Sequence, residues 1–177
     1  MERYLALIRG VNVGGVVLKM EVLRELLQDG GYSNVRTYIQ SGNALFESDR
    51  TDTGEIERGI EDLLRQGTGL DLKVIVRSRP ALRKIAELHP FSSEGEPKCL
   101  FVTLLRSIPD PRDVEILLAE ATGAESFEVD GATVYSIYRE GFGTSRFSNN
   151  FLEKKLRLPA TTRNWNSLQK LRNLMDE

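Results

Sequence analysis

A chain of 177 residues can form one domain or two small ones, and its 40% hydrophobic and 28% charged residues exclude a disordered chain. The single cysteine excludes an intramolecular disulfide, and no apolar run approaches the roughly 20 residues that a membrane-spanning helix needs. The net charge of −2 gives no default case for a large nucleic-acid surface. We therefore expect a protein of the reducing cytoplasm without a membrane partner.

Apolar periodicity in the first part of the chain predicts a βαββαβ order. Alternating apolar residues indicate strands, and apolar residues at helical spacing indicate amphipathic helices. Ser41-Gly42 predicts a tight hairpin between the second and third strands. The predicted strands cover residues 3–9, 35–40, 43–48 and 72–77, and the predicted helices cover 19–28 and 54–65. This order is ferredoxin-like, so we expect a first α+β half over residues 1–78.

A connecting helix, beginning near Pro80 with Ser78 as its N-cap, and a polar linker are predicted over residues 79–97. The pattern of strand, helix and hairpin then restarts, which predicts a second, related α+β half over residues 98–177. This half is expected to end in two helices, where the first half ends in a strand. Its predicted strands are 99–105, 126–129 and 133–138, and its helices begin near residues 110, 149 and 164.

The sequence lacks the residues and motifs that common active sites require. One histidine and one cysteine cannot build a structural zinc site or an ordinary histidine-based metal centre. We expect Cys99 to be a buried thiol within a strand and His89 to lie at the surface or cap a helix. Neither the G-x-x-x-x-G-K-[ST] phosphate loop nor the G-x-S-x-G nucleophile turn is present. We assign no catalytic residue, no metal and no cofactor.

Three polar clusters instead lie at the predicted ends of elements, where backbone groups can meet a ligand. A glycine-bearing loop between a strand and a helix can direct N–H groups at an anion, and arginine adds a planar donor. Thr161 or Thr162 is expected to cap the last helix, which would place an arginine in its first turn. The predicted ligand-binding residues are Arg9, Asn12, Gly14, Gly15, Gln40, Ser41, Asn43, Ser145, Arg146, Thr162, Arg163, Asn164 and Trp165.

Each cluster also has a structural interpretation. Gly14-Gly15 suits an ordinary turn, and Asn43 suits a hairpin for conformational reasons. Trp165 falls on the apolar stripe of the last helix, where core packing competes with ligand stacking. Residues 139–172 carry eight basic and two acidic side chains. That segment fits either a solvated helix face or a patch that attracts an anion.

With these residues assembled, the chain resembles a bacterial family of uncharacterised proteins, domain of unknown function 1697. The resemblance covers nearly the whole length and rests on the segments 9–15, 36–43 and 160–166, with Ser145-Arg146 and Glu153-Lys154-Lys155-Leu156 between them. It implies a fold of ferredoxin-like character and supplies no reaction or substrate. Relatives carry polar or basic residues after the paired glycines, whereas this chain has Val16-Val17-Leu18.

Three classes of function follow from these residues. The first is a binding module for a small anionic ligand, phosphorylated or nucleotide-like, on which the three clusters converge. The second is nucleic-acid binding, with strand aromatics such as Tyr38 and Tyr135 stacking bases. The third is an enzyme for a phosphorylated substrate that uses Arg9, Arg146 and Arg163 for electrostatic stabilisation, with Ser41, Tyr38 or a bound water as the reacting group. The sequence sets no oligomeric state.

Overall fold

The computed structural model describes all 177 residues. The chain divides into two compact units, residues 1–84 with 171–177 (the first half) and residues 85–170 (the second half). None of the helices combines the length and the apolar character needed to cross a bilayer. The first half contains β1 (Glu2–Ile8), α1 (Met20–Asp29), β2 (Ser33–Tyr38), β3 (Asn43–Ser48), α2 (Thr53–Thr68), β4 (Val74–Ser78) and α3 (Arg79–Ile85).

The four strands of the first half form one antiparallel sheet in the order β2-β3-β1-β4. β1 lies in the middle because its residues Tyr4 to Ile8 are buried and can pack on both sides. Helices α1 and α2 place their apolar stripes on one face of this sheet, with Leu23 and Ile60 fully buried. The predicted ferredoxin-like half is confirmed.

Capping residues fix the ends of α2. The Asp52 carboxylate accepts a hydrogen bond from the Glu55 N–H at 3.0 Å, which satisfies one of the free donors of the first turn. Gly69 ends the helix in the left-handed region with φ 72°.

The second half repeats the arrangement of the first. Its antiparallel sheet has the order β6-β7-β5-β8, which matches β2-β3-β1-β4 strand for strand. The elements are β5 (Leu100–Leu105), α4 (Pro111–Ala119), β6 (Glu125–Asp130), β7 (Thr133–Tyr138), α5 (Asn149–Leu156) and β8 (Ala160–Asn164). The last helix, α6 (Trp165–Asp176), begins in the second half, and its residues from 171 onward belong to the first. The predicted second α+β half with C-terminal helices is therefore confirmed, and it contains a fourth strand that the sequence pattern did not reveal.

The missed strand β8 overturns the predicted start of the last helix. Thr161 and Thr162 were expected to cap that helix, but both lie in β8, where β-branched residues pair well with a neighbouring strand. The capping group is Asn164, whose side-chain oxygen accepts the Asn166 N–H at 3.0 Å. Arg163 accordingly lies in a strand and not in a helical first turn.

Hydrogen bonds at the ends of the two central strands show how closely the halves correspond. In the first half, Arg9 N–H donates to the carbonyl of Lys73 at 2.9 Å, just before β4. In the second half, Arg106 N–H donates to the carbonyl of Pro159 at 3.0 Å, just before β8. Each arginine thus follows the central strand of its own sheet.

Three residues differ from their predicted surroundings. His89 was expected at the surface, but it is 1% exposed because aromatic rings enclose it. Cys99 was expected within a strand, but it is half-buried at the end of a 3-10 turn that precedes β5. The helical spacing of Val114, Leu117 and Leu118 also predicts that these residues face the core from α4, but Leu118 is 42% exposed, and Asp113 and Leu117 are the buried residues of that helix.

Candidate functional site

The first candidate element is the loop of residues 9–19, which joins β1 to α1. Asn12 organises it from a left-handed conformation with φ 57°. Its side-chain oxygen accepts the Leu18 N–H at 3.1 Å, and its amide donates to the Leu18 carbonyl at 3.1 Å. The same amide donates to the Gln40 carbonyl at 2.6 Å. Asn12 therefore closes its own loop and fastens it to the turn between β2 and β3.

The turn of residues 39–42 needs glycine at its last position. Gly42 has φ 71°, and a Cβ there would lie 2.5 Å from Val11 Cγ2 and 2.9 Å from Ile8 Cβ. Both distances are closer than real contacts allow, so only glycine lets the turn approach the first loop. Two predicted clusters, residues 9–15 and 40–43, are brought together in this way at one end of the first sheet.

Asn43 has a structural role at this junction. The residue is fully buried at the start of β3, and its amide donates to the Tyr38 carbonyl at 3.1 Å across the turn. Gln40 is exposed, and Ser41 is half-buried. Gln40 and Ser41 are consequently the members of this cluster whose side chains a ligand can reach.

The tip of the first loop is the most exposed part of this end. Gly14 and Gly15 have φ 61° and 89°, a region that favours glycine. The hydrogen bonds that close the loop are donated by the N–H groups of Asn12, Val16 and Leu18. The N–H groups of Gly14 and Gly15 take no part in these bonds. The loop therefore presents main-chain donors to the surroundings, as anion-binding loops do.

Basic residues lie around this end of the sheet. Arg9 follows β1, and its main chain is joined to Lys73 at the start of β4. Lys19 is exposed at the start of α1, and the Arg24 guanidinium donates to the Thr37 hydroxyl at 2.8 Å near the end of β2. Of these four cations, the sequence predicted only Arg9 as a site residue. The antiparallel order was a usable signal for Lys73, because it places the start of β4 beside the end of β1.

Ser145 and Arg146 occupy a different environment in the second half. The Ser145 hydroxyl donates to the Glu125 carboxylate at 2.6 Å and accepts the Phe147 N–H at 3.1 Å. The Arg146 guanidinium lies over the Phe147 ring at 4.7 Å and pairs with Glu120 at 3.5 Å. Both side chains hold the segment before α5 against its own half.

Thr162, Asn164 and Trp165 are also engaged within the second half. The Thr162 hydroxyl bonds Asn149 of α5 at 2.9 Å, and the Asn164 amide donates to the Lys98 carbonyl at 3.1 Å. The Trp165 ring meets the edge of the His89 ring, with centroids 5.0 Å apart. These contacts favour the packing interpretation of Trp165.

Arg163 lies on the face of the second sheet opposite to Thr162, because side chains alternate along a strand. Thr162 faces α5, so Arg163 points away from that helix and from Arg146 on Phe147. Its guanidinium donates to the Thr161 hydroxyl at 2.7 Å and to the Thr162 carbonyl at 3.0 Å. Burial of the guanidinium lowers the pKa of Arg163 to about 10. Within the second half, Ser145-Arg146 and Arg163 therefore do not share one surface.

Comparison with known proteins agrees with this architecture of two ferredoxin-like halves. The model of a family of proteins of unknown function, DUF1697, matches residues 1–135, so the chain belongs to that family. No curated protein matches the sequence.

A similar solved structure is that of the conserved bacterial protein SP0830 from Streptococcus pneumoniae, with a TM-score of 0.77 and 18% sequence identity. The match covers 100% of this chain and 99% of that one. At this identity the likeness shows the shared fold alone.

Proposed function

We propose that this protein binds a small anionic ligand, phosphorylated or nucleotide-like, at the glycine-rich end of the first sheet. The proposal rests on the hydrogen bond from the Asn12 side-chain amide to the Gln40 carbonyl, with an N···O distance of 2.6 Å. This bond holds together the two glycine-bearing segments, residues 9–15 and 40–43. A cytoplasmic bacterial protein, as the single cysteine and the family suggest, meets such ligands throughout metabolism.

Two kinds of donor support an anionic ligand at this end. The N–H groups of Gly14 and Gly15 lie at an exposed tip, where main-chain donors suit phosphate oxygens. Arg9, Lys19 and Lys73 add positive charge within the same end of the half. Cations placed around an exposed loop raise the local concentration of an anion and its association rate.

The contribution of the second half to this site is a separate part of the proposal. Ser145, Arg146, Thr162, Arg163, Asn164 and Trp165 were predicted to join the same ligand, and each has partners within its own half. Arg163→Ala tests the strongest of these candidates. If ligand binding is lost in Arg9→Ala and unchanged in Arg163→Ala, the ligand binds to the first half alone.

The burial of aromatic residues weighs against base stacking on either sheet. Phe46 is 2% exposed, Tyr135 is 6% exposed and Tyr138 is 1% exposed. The Tyr135 and Tyr138 hydroxyls donate to the carbonyls of Ile85 and Phe147. Tyr38 is half-buried, so nucleic-acid recognition by exposed strand aromatics, the mode of many ferredoxin-like domains, has only this ring to use among these four.

A thermal-shift panel tests the proposal. The full chain is heated with inorganic phosphate, pyrophosphate, nucleotides, sugar phosphates and short single-stranded RNA, at low and physiological salt. A ligand at 100 times its dissociation constant stabilises by about 2.7 kcal/mol, which raises the melting temperature of a chain of this size by about 5–10 °C. We expect this rise with a small anion and its loss in Arg9→Ala. A rise with RNA alone that salt removes would favour nucleic acid instead.

A further inference from the structure

A concave site lies in the first half, at the other end of the sheet from the glycine-rich loop. It is a cavity of about 570 Å³ beside the edge strand β2. Its apolar floor includes Leu45 and Met175, both nearly fully buried. Its charged walls include Arg3, Arg36 and Glu47. The volume falls within the range of small-molecule sites in proteins, about 300–1,000 Å³.

A β-bulge shapes this cavity. Ser33 pairs with Glu47 and Arg36 pairs with Leu45, so two residues of β2, Asn34 and Val35, face only one residue of β3. Asn34 has φ 50°, a strained conformation for a residue with a side chain. Bulges of this kind re-aim side chains and recur beside binding sites. Here the bulge turns the Asn34 amide toward Glu47, to which it donates at 2.7 Å.

Glu47 is held as a carboxylate in this wall. Hydrogen bonds from Asn34 and Arg3 lower the pKa of Glu47. These two bonds use one lone pair on each carboxylate oxygen, and a carboxylate has about four acceptor positions. Glu47 therefore keeps acceptor capacity for a cation that enters the cavity.

Arg36 supplies the opposite charge. Its guanidinium donates to the Leu174 carbonyl at 2.8 Å and lies 3.4 Å from Glu177, which uses two of its five N–H groups. The side chains of Arg36 and Glu177 are 49% and 56% exposed, so their ion pair is weak. A ligand carboxylate can take the place of Glu177 at little cost.

Arg36 and Glu47 lie on the same face of the sheet. Arg36 is opposite Leu45, and Glu47 is two residues beyond Leu45 on the same strand. Diagonal neighbours of a regular ladder lie about 7–8 Å apart, roughly the length of two extended residues, and here the bulge at Asn34 and Val35 lies between the two pairs. The cavity thus presents two arginine and two glutamate side chains above Leu45 and Met175, with Arg3 paired to Glu47 and Arg36 paired to Glu177.

We propose that this cavity binds a zwitterionic small molecule of dipeptide size, with its carboxylate on Arg36 and its ammonium on Glu47. The rest of the ligand fills the cavity above Leu45 and Met175, which are 4% and 1% exposed and close the cavity from below. This site is independent of the anion site at the glycine-rich end, and it requires both charges of the ligand, whereas the anion site requires only negative charge.

Calorimetric titration of the full chain with glycyl-leucine tests this proposal. We expect binding of glycyl-leucine and at least about tenfold weaker binding of its amide and of its N-acetyl derivative, since each lacks one charge. Arg36→Gln should weaken glycyl-leucine binding about tenfold but leave binding of the amide nearly unchanged. Glu47→Gln should give the reciprocal result with the N-acetyl derivative.

Arg58→Gln is the matched control, because Arg58 is an exposed arginine of the same half outside the cavity. It should bind as wild type does. The proposal is overturned by the absence of binding at about 10 mM glycyl-leucine. Equal affinity for the blocked peptides, or unchanged affinity in Arg36→Gln, overturns it as well.

Discussion

Glu61 and Glu153 occupy corresponding positions in the two halves. The Glu61 carboxylate accepts the N–H of Val74 at 3.0 Å, and the Glu153 carboxylate accepts the N–H of Ala160 at 3.2 Å. Val74 and Ala160 are the first residues of β4 and β8, which are edge strands of their sheets. An edge strand exposes unpaired N–H groups that can recruit another chain. In both halves, a glutamate from the preceding helix satisfies the first of these groups.

The first half extends this capping by one more residue. Glu57 lies one helical turn before Glu61 and accepts the Val76 N–H at 2.9 Å. Both glutamates are nearly fully buried, at 4% and 6% exposure. Buried carboxyl groups are tolerated when they are hydrogen-bonded, and the bonds to the edge of β4 each satisfy one oxygen of a buried glutamate.

Glu61→Ala is expected to destabilise the protein by about 1–3 kcal/mol, because it leaves the buried N–H of Val74 without its acceptor. Glu61→Gln keeps an acceptor oxygen and should cost less. Asp62→Ala is the matched control, since Asp62 pairs with Arg65 on the surface and should cost less than about 1 kcal/mol. Urea unfolding of the three variants measures these differences. Equal losses in the free energy of unfolding for Glu61→Ala and Asp62→Ala would contradict the role of Glu61 in capping the edge of β4.

Gly42→Ala tests the contact between the first loop and the turn. Gly131 also has a positive φ, 56°, but a Cβ there meets nothing within 4 Å. Both substitutions strain the backbone, and only Gly42→Ala also forces a clash with Val11. We expect Gly42→Ala to be the more destabilising by about 1–3 kcal/mol in urea unfolding. Similar losses for both variants would contradict the close approach.

His89 makes stability depend on pH in a defined direction. Burial lowers the pKa of His89, although the Phe101 carbonyl and the charge of Glu128 act in the opposite sense. Its Nε2 lies 3.0 Å from the Phe101 carbonyl, and its Nδ1 accepts the Phe91 N–H at 3.3 Å, so the fold holds the neutral ring.

The stability that comes from His89 should therefore be complete above the unfolded pKa of about 6.5 and fall as the pH drops through the lower folded value. Because this is the only histidine, its ring signals can be followed by NMR without ambiguity. A folded pKa at or above about 6.5 would be inconsistent with the burial of the ring.

Asn12→Ala should loosen the proposed anion site without unfolding its half. The variant loses three hydrogen bonds at the loop, and we expect a loss of about 1–2 kcal/mol in stability, since the residue is exposed. It should also weaken binding of the best anion in the panel about tenfold, because the donors at Gly14 and Gly15 are no longer held in place. Asn173→Ala, at an exposed position of α6, is the control. Unchanged anion affinity in Asn12→Ala would show that binding does not depend on the loop conformation that Asn12 holds.

Much of the fold could be predicted from apolar periodicity. The strand at residues 43–48 was placed with its observed bounds, and the hairpin before it followed from Ser41-Gly42. β8 escaped prediction because Thr161-Thr162 before a helix is also a typical capping sequence. Local sequence cannot separate the two readings, because the pairing with β5 that decides between them is a long-range contact.

The candidate site was predictable in composition and less so in geometry. The donor-rich character of residues 9–15 and 40–43 was visible in the sequence. The bond between Asn12 and Gln40 was not, because it joins segments 28 residues apart. Asn43 illustrates the limit of composition, since it was predicted as a ligand-binding residue and its buried side chain donates to the Tyr38 carbonyl. Polar residues at turns serve the backbone as readily as they serve ligands.

Calorimetric titration of the best anion from the panel measures anion binding at the glycine-rich end of the first half. Wild type, Arg9→Ala and the control Arg58→Ala are compared at physiological salt. We predict micromolar to millimolar binding to wild type and to Arg58→Ala, and at least about tenfold weaker binding to Arg9→Ala. The absence of heat with every anion, or equal affinity in Arg9→Ala, would contradict the claim.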